Sequence, residues 1–182
     1  MIDIRILRSL LAGDLDDVII IESFDDGWTA TLSLNGDAGN DSLLAPDSTN
    51  SFTVTATHTG NLNFNGVTGA FGTLENLSGG TGNETFVISN TADQLAFIDG
   101  GPGIDTLDIT GYAAPNIMIT GVNPSGFQGT GVMFTSTPGY RNIDTFVPAS
   151  VVPTLSEWGI ILLSTAFVLV AGLRLQRRQQ MA

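Results

Sequence analysis

The chain has 182 residues, 18 acids against six bases, a formal net charge of −12, one histidine and no cysteine. Thiol catalysis, disulfide staples and cysteine–zinc sites are excluded, and nucleic acid is disfavoured because its phosphates need Lys and Arg to neutralise them. Glycine is 22 of 182 residues while charged residues are only 13%, a balance that supplies turns and strands rather than a disordered polyelectrolyte.

Residues 1–30 read as an N-terminal lead. In "MIDIRILRSLLAGDLDD", Asp3 occupies the region that should be basic in a secretory signal, and Arg5 and Arg8 interrupt the apolar stretch. No uninterrupted run of about 7–15 apolar residues follows, so there is no clear signal peptide.

From about residue 16 to residue 147 the chain alternates short β-branched runs with Gly/Asn/Asp clusters. The runs at 17–21, 29–34, 51–57, 84–88 and 116–120 are predicted strands. No long 3.6-residue period occurs before Ser156, so little helix is expected. The clusters "NGDAGNDSL" (35–43), "SGGTGNETF" (78–86) and "DGGPGIDTL" (99–107) align Gly36 with Gly79 and Gly100, at separations near multiples of 21 or 22. A second echo pairs "FGTLENL" (71–77) with "YRNIDTF" (140–146), matching Glu75 to Asp144. Such a recurrence suits a parallel β-solenoid whose coils share one apolar core. A β-sandwich with turns every 8–12 residues is the competing fold. The expectation is an all-β, Gly-rich parallel β-solenoid over 31–147, resembling a β-helix or β-roll.

Residues 148–159 form a linker that ends in "VPTLSEWG". Then Trp158–Leu175, "WGIILLSTAFVLVAGLRL", carries one charge, Arg174. Large aliphatic or Phe side chains at nine positions between Ile160 and Leu173 favour insertion by about 3–5 kcal/mol before Gly, Ser and Thr subtract. A helix over 158–175 would be about 27 Å long, close to a hydrocarbon core of about 30 Å. A single membrane span is therefore expected, with the basic tail 176–182 cytoplasmic together with Arg174, and Arg177 and Arg178 within that tail. Residues 1–157 hold all the acids and would face outward.

Two resemblances follow from these residues. The tripartite tail of Val152-Pro153-Thr154-Leu155-Ser156-Glu157-Trp158-Gly159, one apolar helix and the Arg174, Arg177, Arg178 cluster resembles the IPTL-CTERM sorting signal of Gram-negative bacteria. Val152 stands where that family usually has Ile. The resemblance implies a membrane-embedded, exosortase-like transpeptidase as partner, an inner-membrane precursor, and a mature form at the cell surface or released. Because export needs a leader, the N-terminal lead is expected to be a truncated start. The body, over roughly 35–147, resembles the hemolysin-type (RTX-like) Gly-rich repeats of large bacterial surface proteins.

That second resemblance implies calcium. In its G-G-x-G-x-D-x-U-x pattern the ligand acids would be Asp41, Glu84 and Asp105, with Leu43, Phe86 and Leu107 as the apolar anchors. Asp37 stands in place of a glycine, Glu84 replaces Asp, and the copies are not in tandem, so weak binding is expected and no cofactor is required. Asp99 and Asp108 are further candidate ligands. His58 lies in a Thr-rich strand pattern without a credible catalytic partner, and residues 9–140 contain no Arg or Lys. The expected function is a structural or adhesive envelope protein meeting extracellular polysaccharide or surface partners, and not an enzyme. The alternatives are a secreted calcium-binding repeat module and, less favoured, a β-helical polysaccharide-active enzyme.

Overall fold

The structure is a computed structural model that describes residues 10–22, 31–89, 94–112 and 116–147. The chain divides into two compact units, Met1–Ala149 and Ser150–Ala182, and all described residues lie in the first. The predicted sorting motif, the apolar segment 158–175 and the arginine cluster lie outside the described residues, as do 1–9 and 23–30 of the lead.

The described residues are all-β, as the β-branched runs and glycine punctuation predict. They form an eight-stranded and a seven-stranded sheet, and the chain crosses from one to the other and back. β1 (Leu10–Gly13) lies in the larger sheet and β2 (Val18–Ile20) in the smaller; β3 (Leu32–Asp37) returns to the larger and β4 (Ser42–Leu44) to the smaller. β5 (Asn50–Ala56), β6 (Thr59–Phe64) and β7 (Val67–Gly72) all belong to the larger sheet. β8 (Asn76–Ser78) and β10 (Phe97–Asp99) lie in the smaller, and β9 (Glu84–Ile88) and β11 (Thr106–Asp108) in the larger. β12 (Met118–Asn123), β13 (Gly126–Thr130) and β14 (Tyr140–Ile143) join the smaller sheet, and β15 (Thr145–Val147) the larger.

Successive passes pair in parallel. Across the larger sheet the order is β1-β3-β7-β6-β5-β9-β11-β15, and across the smaller β12-β13-β14-β10-β8-β4-β2. Antiparallel pairing enters through β6, between β5 and β7, and through the β12–β13 hairpin against β14. These insertions mean that the passes are not uniform coils of 21 residues. Asn65 and Gly66 join β6 to β7 with φ of 49° and 93°, the backbone a two-residue hairpin turn needs and the reason for the Asn-Gly pair.

Strand alternation places one side-chain row of each sheet in a shared core. The smaller sheet contributes the column Ile19–Leu43–Leu77–Ile98–Tyr140, all buried and in register. The larger contributes Phe52–Phe86–Leu107–Phe146, with Phe146 partly buried at the end. Phe52 and Phe86 stack with centroids 5.0 Å apart and planes 2° from parallel, because in-register parallel strands put like residues directly over one another.

Candidate functional site: the buried carboxylate columns

One short unit recurs at the start of most passes: an acid or Asn, a small residue, and a large apolar one. In the smaller sheet it reads Asp17-Val18-Ile19, Asp41-Ser42-Leu43 and Glu75-Asn76-Leu77. In the larger it reads Asn50-Ser51-Phe52, Glu84-Thr85-Phe86, Asp105-Thr106-Leu107 and Asp144-Thr145-Phe146. The third residue enters the core. Strand register then stacks the first residues into two columns.

Within each column the carboxylate reaches back to the preceding pass and accepts a backbone N–H. In the smaller sheet, Asp17 N–H donates to Asp41 Oδ1 at 2.7 Å, and Asp41 N–H to Glu75 Oε2 at 2.7 Å. Oε1 of Glu75 meets His58 Nδ1 at 2.8 Å. In the larger sheet, Glu84 N–H donates to Asp105 Oδ1 at 2.8 Å and Asp105 N–H to Asp144 Oδ2 at 2.8 Å. Asn50 heads this column, donating from Nδ2 to Glu84 Oε1 at 2.9 Å. These N–H groups lie where a turn passes into a strand, and the side chain of the next pass satisfies them.

Asp41, Asn50, Glu84 and Asp105 are buried, at 0, 1, 1 and 0% exposure. Oδ2 of Asp41, Oε2 of Glu84 and Oδ2 of Asp105 have no hydrogen-bond partner. Each lies against the glycine five residues before it: a methyl group on Gly36 or Gly100 would stand 2.5 Å from the orphan oxygen of Asp41 or Asp105, and one on Gly79 would collide with that of Glu84. Burial, and then the neighbouring charge of Asp105, push the Glu84 carboxyl up to about 8. Burial also raises Asp105, while the N–H of Glu84 favours its ionised form. Burial and the Asp105 charge both favour a proton on Glu84, which relieves two buried charges in adjacent passes.

Of the acids that the calcium-type pattern picks out, the structure brings Glu84 and Asp105 together and leaves Asp41 in the other sheet's column. Calcium takes 6–8 oxygens; here one oxygen of each carboxylate is engaged by a donor of the preceding pass, and the other lies beside a glycine and a backbone carbonyl. No group of three or more metal-binding side chains converges among the described residues. Asp99 accepts from Arg141 Nη2 at 2.6 Å and Nε at 2.8 Å, and from Asn142 Nδ2 at 2.7 Å. Asp108 is held by the N–H and hydroxyl of Thr110 at 2.9 and 2.7 Å.

The sequence alignment of the three glycine turns is only half kept. The Gly79 and Gly100 turns both lead from the smaller sheet to the larger, and Phe86 stands beside Leu107. The Gly36 turn leads the opposite way, so Asp41 stacks on Glu75 rather than on Glu84. The second echo is likewise crossed: Glu75 precedes a strand of the smaller sheet and Asp144 one of the larger. The glycine-turn pattern does not mark Asn50 or the His58–Glu75 pair, although "NSF" at 50–52 repeats the unit of "ETF" at 84–86.

No curated protein and no solved structure matches this chain. The family comparison reaches residues 152–178, beyond the carboxylate columns, and leaves the repeat body without an assigned relative. Over that stretch the chain is similar to the family described as the IPTL-CTERM motif, and so carries the C-terminal sorting signal of an exported protein.

Proposed function

We propose that this chain is a structural or adhesive protein of the bacterial cell envelope, delivered as a membrane-anchored precursor and handled by an exosortase-like transpeptidase. The match to the IPTL-CTERM motif at residues 152–178 carries this reading. The physical character of the tail supports it: an apolar stretch at 158–175 ends in Arg174, Arg177 and Arg178, which favours one span with the body outside. The sequence of the motif agrees with this, since a proline such as Pro153 biases the residue before it away from helix, and an extended segment suits a processing enzyme. Among the described residues no helix is long and apolar enough to cross a membrane.

The body is read as a two-sheet parallel β-solenoid interrupted by hairpins. Parallel register through β2, β4, β8, β10 and β14 and through β5, β9, β11 and β15 supports this. Its acids are read as structural, with no resident cofactor, and the chain as a substrate of catalysis rather than a catalyst.

The test is expression of the full chain, behind an export leader, in a host that carries the sorting enzyme. Intact mass and cell fraction are compared with a variant lacking Pro153–Gly159. Loss of processing in the variant supports the reading; identical mass and location for both overturns it.

A further inference from the structure

We propose that the β12–β13 hairpin is a lipid-contacting surface, resting at the headgroup level of the bilayer in which the tail is anchored. The proposal rests on the membrane span proposed above for 158–175.

The hairpin is apolar where it meets solvent. Met118, Ile119 and Val122 of β12 are 57, 49 and 71% exposed, and Val132, just beyond β13, is 50% exposed. A bulge between Ile119 and Gly121 sets Ile119 opposite Gly129 and Val122 opposite Phe127. Phe127 and Gly129 are two apart on β13, so Ile119 and Val122 share one face of the hairpin. Such a hairpin does not enter the hydrocarbon, where free N–H and C=O groups would go unpaired. At the headgroup level water pairs those groups while the apolar side chains reach inward, the position an amphipathic surface takes on a membrane.

Charge and tether length select lipid as the occupant. Residues 109–140, which include β12 and β13, contain no charged residue in a chain with 18 acids, and on the adjoining strand β14 Arg141 is paired with Asp99. The negative surface potential of anionic lipids repels acids, so this hairpin is a part of the body that can approach them. Val18 of β2 is exposed to nearly the same extent, at 65%, but Asp14, Asp16, Asp17 and Glu22 flank it, and its contact with lipid would carry those acids to the surface. β15 ends at Val147, and residues 148–157 reach at most about 35 Å when fully extended. An anchor at 158–175 therefore keeps the body beside the bilayer, where a weak contact acts at high effective concentration.

The chain has no cysteine, so Val122→Cys, Val18→Cys and, within the tail, Ser164→Cys can each be labelled alone with the same polarity-sensitive fluorophore. The full-length chain is reconstituted in vesicles of phosphatidylethanolamine and phosphatidylglycerol, with and without lipid that carries a nitroxide quencher. Expected is a blue-shifted emission at V122C, quenched at least about fivefold more strongly than at V18C, because membrane contact follows buried apolar area and is opposed by like charge. Ile119→Asp in the V122C chain should return its emission to that of V18C. Equal quenching at V122C and V18C, while S164C is quenched, would overturn the proposal and leave the span intact. So would a blue shift at V122C that the lipid does not quench, the mark of cover by another part of the chain or by a second copy, or indifference to Ile119→Asp. An unquenched S164C overturns the span, and the proposal with it.

Discussion

The backbone N–H of Glu84 donates to Oδ1 of Asp105, 21 residues further along the chain, at 2.8 Å. The contact joins two buried acids in adjacent passes of the larger sheet. It makes the folded state sensitive to protons in an unusual direction.

A carboxyl raised by burial binds its proton more tightly in the folded than in the unfolded chain, so stability falls as pH rises. For Glu84 the benefit is complete below the unfolded value of 4.5 and is lost as pH climbs through about 8. Asp105 is raised as well and acts in the same sense. The melting temperature should therefore be higher near pH 5 than near pH 8.5, and Glu84→Gln should flatten that slope. A melting temperature that rises across this interval would contradict the assignment.

Gly100 and Gly66 should respond to alanine for different reasons. At Gly100 an added methyl meets Asp105 Oδ2 and the Asn142 carbonyl, and overpacking of this kind costs about 1–3 kcal/mol. At Gly66 nothing lies within 4 Å, but φ is +93°, a conformation that costs an L-residue roughly 1–2 kcal/mol. Chemical denaturation of both variants checks the sizes. Only Gly100→Ala should alter the pH profile, because only it presses on a titrating carboxylate.

Phe86 stacks on Phe52 and is fully buried. Phe86→Ala should cost about 3–5 kcal/mol through lost transfer energy and the cavity it leaves. Phe86→Leu, which matches Leu107 in the next pass, should recover most of that. Equal loss from both would show that the column depends on ring stacking rather than on filled volume.

Arg141 binds Asp99 across β10 and β14 and lies 5.3 Å from the Phe97 ring centroid. Its side chain is 52% exposed, so water screens the pair and Arg141→Ala should cost no more than about 1 kcal/mol. Added salt should shrink the difference between the two proteins, measured as the shift in denaturation midpoint.

The strand at 84–88 was legible residue for residue, and the runs at 17–21, 29–34, 51–57 and 116–120 fall within a few residues of β2, β3, β5 and β12, because β-branched runs between Gly and Asn leave the backbone few alternatives. The acids Asp41, Glu84 and Asp105 were legible as special by their place after a glycine turn, but not their use. The pattern that marks a ligand acid also marks a buried carboxylate that caps a turn. The unit of acid, small residue and apolar residue opens strands in both sheets, so "NDSL" at 40–43 and "NETF" at 83–86 look alike while they join the sheets in opposite directions. His58 is 17 residues from Glu75, and only the folding of β5, β6 and β7 sets them face to face.

Local chemistry alone settled the all-β class and where the chain turns: glycine frequency and β-branching act over a few residues. Tertiary structure decided which passes are neighbours. Inserting the β5–β7 meander moves Asp41 onto Glu75 and Asn50 onto Glu84, because parallel pairing depends on where the chain returns in space, and two hairpin strands can lengthen that return without changing the register of the columns they separate.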